Sequence, residues 1–185
     1  RAYSGWAVSA KSLGRVDEAN EAWEKAMANL GTMTERERLR TQGMYYWGVT
    51  QNIPKTIETY ERLVEQYPAD FAGHNNLAVA RFLALDFDGA VKEGRAALDI
   101  YPTNGVATTN LALYAMYSSD LETAVAKAAD ARELSTTYFA VWLPVAMHAL
   151  ANGDLDAARS AYGSMAETGA RGASAASLGL ADLEL

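Results

Sequence analysis

The chain has no cysteine, which removes disulfide staples, thiolate zinc sites and cysteine nucleophiles together while leaving the redox compartment open. Histidine is scarce as well: His74 and His148 stand 74 residues apart, and neither has a partner ligand three or four residues on, so no metal site is expected. Glycine-rich phosphate loops and nucleophile elbows are missing, and the GARGAS run at 169–174 reads as a turn. An enzyme is not expected, and no cofactor. Basic residues are the minority, 16 against 23 acidic for a formal charge of −7, which opposes the phosphate neutralisation that dominates nucleic-acid affinity. No nucleic-acid partner is therefore expected. No run approaches the roughly 20 apolar residues that a membrane helix needs, and no basic-then-apolar leader opens the sequence, so no direct membrane insertion is expected. These absences point to a soluble chain with the cytoplasm as the favoured compartment.

What is present is a ruler. Thr56, Ala90, Ala124 and Ala158 stand 34 residues apart, with Ala19 placed 37 before the first. Each follows a turn-like segment (LGRVDEA at 13–19, LDFDGA at 85–90, SDLETA at 119–124, NGDLDAA at 152–158) and opens a run of helical periodicity. Val16, Ala19, Ala22, Trp23, Ala26, Met27 and Leu30 fall on one helical face, as do Phe87, Ala90, Val91, Ala97, Leu98 and Tyr101. Pro102 and Pro68, one interval earlier, stop their helices because proline lacks an N–H and clashes with the preceding turn. A helical hairpin repeated in this way buries its apolar face only by stacking on its neighbours. The predicted fold is all-α, a right-handed α-solenoid of stacked helix-turn-helix hairpins.

The frame places five repeats at about 1–31, 37–70, 71–104, 105–138 and 139–172, then the first helix of a sixth or capping repeat at 173–185. Arg1 in place of methionine, and the unfinished LGLADLEL at 178–185, read as a piece of a longer polypeptide. The small residue of each repeat lets two helices approach closely, and Thr56 is expected to bond its hydroxyl one turn back. Pro54 suits a first helical turn, whereas Pro144 should make its helix start late or bend. The longer first interval implies an insertion around Gly31 to Glu37, with residues 35–38 a solvated helix start.

Leu77, Ala78, Ala90, Ala97 and Pro102 occupy positions 7, 8, 20, 27 and 32 of the third repeat, and on these residues the chain resembles a tetratricopeptide-repeat domain over essentially its whole length. Position 8, often glycine in that family, is Ala7, Met44, Ala78, Ala112 and Ala146 here, and position 32 is proline in only two repeats. A looser resemblance over 34–104 is to repeat regions that follow bacterial protein kinases and other multidomain signalling proteins.

The resemblance implies a concave face lined by repeat positions 2, 5, 6, 9, 12 and 13 of the first helices. Those thirty positions hold no carboxylate, and 18 of the 23 acids lie in the second helices or the turns that introduce them. The face grades from basic Arg1, Lys11 and Arg38, through Gln42, Tyr45 and the amides Asn75, Asn76 and Asn110 beside Thr109, to apolar Val79, Phe82, Leu113, Met116, Tyr117 and Met147. Amides donate and accept, which suits a peptide backbone, and the apolar side chains could receive anchors. The implied function is a non-catalytic groove holding a peptide or helical segment of a protein partner. The alternatives are that the apolar positions only pack against neighbouring repeats, that they support self-association in a scaffold, or that the region regulates an attached enzyme. The family's chaperone-tail clamp needs lysine at position 5, which is Ser4, Thr41, Asn75, Thr109 and Leu143 here, so that ligand is not expected.

Overall fold

A computed structural model describes residues 2–134 and 138–184, so Arg1 lies outside the described residues. Among these the chain is all-α: α1 (Ala2–Ser12), α2 (Val16–Ala28), α3 (Glu35–Gly48), α4 (Ile53–Gln66), α5 (Phe71–Leu83), α6 (Phe87–Ile100), α7 (Gly105–Tyr117), α8 (Leu121–Glu133), α9 (Leu143–Ala151), α10 (Leu155–Ala166) and α11 (Ala170–Asp182). Short 3-10 turns cover Leu30–Thr32 and Phe139–Trp142. Two compact units divide the chain, Arg1–Ala84 and Leu85–Leu185.

Side-chain caps set where the helices begin. Asn52, Asp86, Asp120 and Asp154 each accept a hydrogen bond from the backbone N–H three residues on, at 3.0, 3.0, 3.1 and 2.9 Å. They too recur every 34 residues. Each satisfies one orphan donor of a helix N-terminus, which is worth about 1 kcal/mol. Asp70 and Asn104 do the same for α5 and α7, at 2.8 and 2.9 Å, and Thr34 forms a reciprocal capping box with Glu37. One interval beyond Asn104 the residue is Tyr138, which cannot cap. The chain there makes its 3-10 turn first and α9 starts late, with Pro144 in its first turn. Pro54 occupies the first turn of α4, and α4 and α6 end ahead of Pro68 and Pro102.

The residue before each of those four caps turns left-handed: Gln51, Leu85, Ser119 and Gly153 have φ of 51°, 63°, 67° and 72°. A side chain in this region costs about 1–2 kcal/mol, and only position 153 uses the residue that avoids it. Leu85 is also 74% exposed, so its side chain returns little by burial. Leu85→Gly is therefore expected to stabilise the protein by about 1 kcal/mol after the added freedom of the unfolded chain is subtracted. The midpoint of chemical denaturation measures it, and a fall in that midpoint would contradict the strain.

Packing in each unit follows the ruler: Ala19, Thr56, Ala90, Ala124 and Ala158 are all buried. The Thr56 hydroxyl donates to the Asn52 carbonyl at 2.9 Å, one turn back. In the first unit Ala7, Ala22, Trp23 and Ala26 form one cluster, flanked by Met44 and Tyr45, and Leu39, Tyr60, Leu63 and Leu77 form another. In the second unit α6 meets α7 where Gly94 faces Leu111 and Tyr114, and Ala146, Ala161, Tyr162, Met165 and Ala176 join α9, α10 and α11.

Acids are not confined to the surface. Asp70 is wholly buried in the first unit, held by Arg36 Nε at 2.6 Å and by Arg40 through Nη2 at 2.6 Å and Nε at 2.9 Å. Residues 35–38 are thus not simply a solvated helix start, because Arg36 turns inward to that carboxylate while its guanidinium lies over the Tyr67 ring. Glu93 is buried too, at 7% exposure in the second unit.

Candidate functional site

The first unit contains a cavity of about 520 Å³ between the C-terminal ends of α1 and α3. Val8, Lys11 and Ser12 come from α1, Trp23 from α2, Met44, Trp47 and Gly48 from α3, Gln51 from the left-handed turn and Asn76 from α5. Two of these lining residues add little bulk. A Cβ added to Gly48 would meet nothing within 4 Å, and the Ser12 hydroxyl folds back onto the Val8 carbonyl at 3.0 Å. Val8 and Trp47 stay 43% and 40% exposed on its walls, although both are the kind of side chain that burial favours. Lys11 Nζ donates to the Gly48 carbonyl and so ties the two helix ends together.

A smaller cavity of about 270 Å³ adjoins it in the same unit and shares Met44 and Asn76. Its lining adds Glu37 and Arg40. Glu37, which is not one of the thirty concave positions, is engaged in the Thr34 capping box, and Arg40 in the Asp70 cluster. Asn76 is fixed from two sides: Asn75 Nδ2 donates to its Oδ1 at 3.2 Å, and its own Nδ2 donates to Tyr60 Oη at 3.1 Å. Burial pushes the Tyr60 phenol well above its ordinary range, so it stays protonated and serves as an uncharged acceptor. One amide hydrogen and one lone pair of Asn76 remain for a ligand.

Of the residues singled out from sequence, Asn76 lines both of these cavities. Arg38 is exposed and ion-paired with Glu35, so it is not an unneutralised groove cation. Tyr45 packs edge-on against Trp23, ring centroids 5.9 Å apart, and belongs with the first cluster. Gln42, Asn75, Val79 and Phe82 are half-buried and do not line the larger cavity. Met44, Trp47 and Gln51 escaped the sequence reading, which followed the family's concave positions. The Trp47-Gly48 pair, a large apolar side chain beside none at a helix end, was the available signal.

In the second unit Thr109 is buried at 1% exposure and its hydroxyl donates to the Gly105 carbonyl at 2.9 Å, so it serves the helix rather than a groove. Asn110, Leu113 and Met116 are half-buried, whereas Met147 is 41% exposed. Tyr117 is half-exposed and stacks on Phe87 at 5.4 Å. One cavity of this unit, about 620 Å³ among α6, α7 and α8, uses none of these residues, and its acids include Asp130, paired with Lys127 at 2.7 Å. His74 Nε2 lies 2.9 Å from the Pro68 carbonyl, and the His148 ring lies against the Asn152 amide. Among the described residues no group of three His, Asp or Glu could hold a metal ion, and no helix is long and apolar enough to cross a membrane.

Residues 50–105 match the family model described as Tetratricopeptide repeat. No curated protein matches the chain in sequence. Solved structures do. TTC0263, a thermophilic tetratricopeptide-repeat protein of Thermus thermophilus, is 18% identical with a TM-score of 0.73 over 97% of both chains. PilW, a widely conserved type IV pilus biogenesis factor, is 17% identical with a TM-score of 0.71 over 89% of this chain and 75% of its own. MamA of Desulfovibrio magneticus RS-1 is 12% identical with a TM-score of 0.67 over 90% of this chain and 91% of its own. At these identities the likeness is one of fold, stacked helix-turn-helix repeats. Neither the family match nor these structures support the kinase-linked context read from residues 34–104.

Proposed function

We propose that this tetratricopeptide-repeat chain is a non-catalytic interaction module whose first unit holds a peptide or helical segment of a protein partner. The observation that carries the reading is the cavity between α1 and α3, where Val8, Trp23, Met44 and Trp47 surround open space. A tryptophan that stays 40% exposed beside a cavity is the kind of residue on which binding energy concentrates once a partner excludes water. Methionine adapts to an anchor of irregular shape. Asn76, held in one orientation by Tyr60, offers a donor and an acceptor to the backbone of the bound segment. Nothing in this arrangement supplies a nucleophile with an adjacent base.

The test is a selection of short peptides displayed against the whole chain, followed by affinity measurements on variants. Trp47→Ala is expected to weaken the selected peptides by about 30-fold, the size of an interface hot spot. Gly48→Leu adds bulk to a residue that lines the cavity and whose Cβ would meet nothing within 4 Å, so it should leave the stability within about 0.5 kcal/mol of the parent and lose binding at least as strongly. Peptides that bind both variants as well as the parent would place the partner elsewhere.

A further inference from the structure

The lining of the larger cavity has one charged group. Val8, Trp23, Met44, Trp47 and Gly48 are apolar, Ser12, Gln51 and Asn76 are neutral, and Lys11 alone carries charge. Its ammonium group gives one hydrogen to the Gly48 carbonyl and has no carboxylate partner among the described residues, whereas Lys25 pairs with Glu21 at 2.6 Å and Arg15 with Glu18 at 3.7 Å on the neighbouring helix. Two of the three ammonium donors are left. In a chain with seven more acids than bases, Lys11 puts a positive charge at the mouth of a cavity whose other lining residues are neutral.

Resting on the reading above, we infer that the bound segment carries a carboxylate next to its bulky apolar anchor: the anchor enters between Trp23, Met44 and Trp47, and the acid meets Lys11. The Gly48 contact fixes where the ammonium sits on the rim, so the acid and the anchor must be near neighbours in the partner. The carboxylate completes the lysine's hydrogen bonds and supplies the charge that the lining lacks. A charge-assisted bond of this kind is shorter and about twice as strong as a neutral one. A basic segment would leave Lys11 facing a like charge beside low-dielectric walls.

The probes are paired synthetic peptides built on an anchor selected against the parent chain, one with Glu beside it and one with Gln. The Glu peptide is expected to bind about tenfold more tightly than the Gln peptide, and its advantage should shrink as salt is raised. Lys11→Gln should abolish the difference, and Lys11→Arg should restore it. Lys11→Glu should invert the preference toward a peptide with Lys beside the anchor. A merely structural Lys11, holding the end of α3, would lower both peptides equally and leave the salt dependence unchanged. Equal affinity of the two peptides for the parent, or a preference that survives Lys11→Gln, overturns the inference while leaving the binding module intact. Insensitivity of both peptides to Trp47→Ala overturns the module itself, and failure to select any peptide overturns both.

Discussion

Asp70→Ala is expected to destabilise the first unit by about 3–5 kcal/mol, because it deletes the anion of a buried cluster and leaves two cations facing each other around the gap. The carboxylate has no exposed surface, and the side chains of Arg36 and Arg40 are 43% and 24% exposed. Arg36, the wetter of the two, can recover hydration, so Arg36→Ala should cost less than Arg40→Ala, which leaves a buried charge partly unneutralised. The alanine also removes the cap of α5, which contributes about 1 kcal/mol within that range. Denaturant unfolding followed by tryptophan fluorescence ranks the three variants, and an Asp70→Ala cost below about 1 kcal/mol would mean that the cluster contributes no more than its cap.

The same cluster sets an acid limb. Burial alone would raise the Asp70 pKa, but hydrogen bonds from Arg40, Arg36 and the Gly73 N–H together outweigh it and hold the group below its ordinary 3.8. A carboxyl depressed in the folded state adds stability that is fully present above the unfolded value and is lost as pH falls through the folded one. The difference between the parent and Asp70→Asn should thus be flat above about pH 5 and shrink below 3.8.

The contrast between Asp70 and the caps explains what could be read beforehand. Asn52, Asp86, Asp120 and Asp154 act on backbone three residues away, so their effect is written locally and recurs with the repeat. Arg36, Arg40 and Asp70 act across 34 and 30 residues, and each alone has the composition of a solvated surface. Only the stacked helices bring them together, and only that proximity makes burial of the acid tolerable. The cavity was hidden for another reason. Periodicity records where side chains are, whereas the site depends on volume that Gly48 and Ser12 do not fill. Thr109 shows the converse: its repeat position suggested a groove, but the Gly105 carbonyl already accepts its hydroxyl.

Gly43 and Tyr60 should behave as one unit rather than two. A Cβ on Gly43 would lie 2.6–2.9 Å from three ring atoms of Tyr60, too close to exist without movement. Tyr60 is fully buried among Leu39, Leu63 and Leu77, so the ring has nowhere to go cheaply. Gly43→Ala is expected to cost about 1–2 kcal/mol, an overpacking penalty partly offset by the better helix propensity of alanine. Tyr60→Ala should cost about 3–5 kcal/mol as a large aromatic deletion. In the double variant the clash is gone, and Gly43→Ala should be neutral or favourable by up to about 1 kcal/mol. The cycle therefore predicts a coupling of about 2 kcal/mol, and additive costs would mean that the ring can move away freely. Tyr60→Phe separates packing from the hydroxyl. It keeps the ring, so it should not rescue Gly43→Ala, but it removes the acceptor that orients Asn76. Peptide affinity should then fall in Tyr60→Phe while the core stays folded, since the amide that faces both cavities loses the bond that holds it in place.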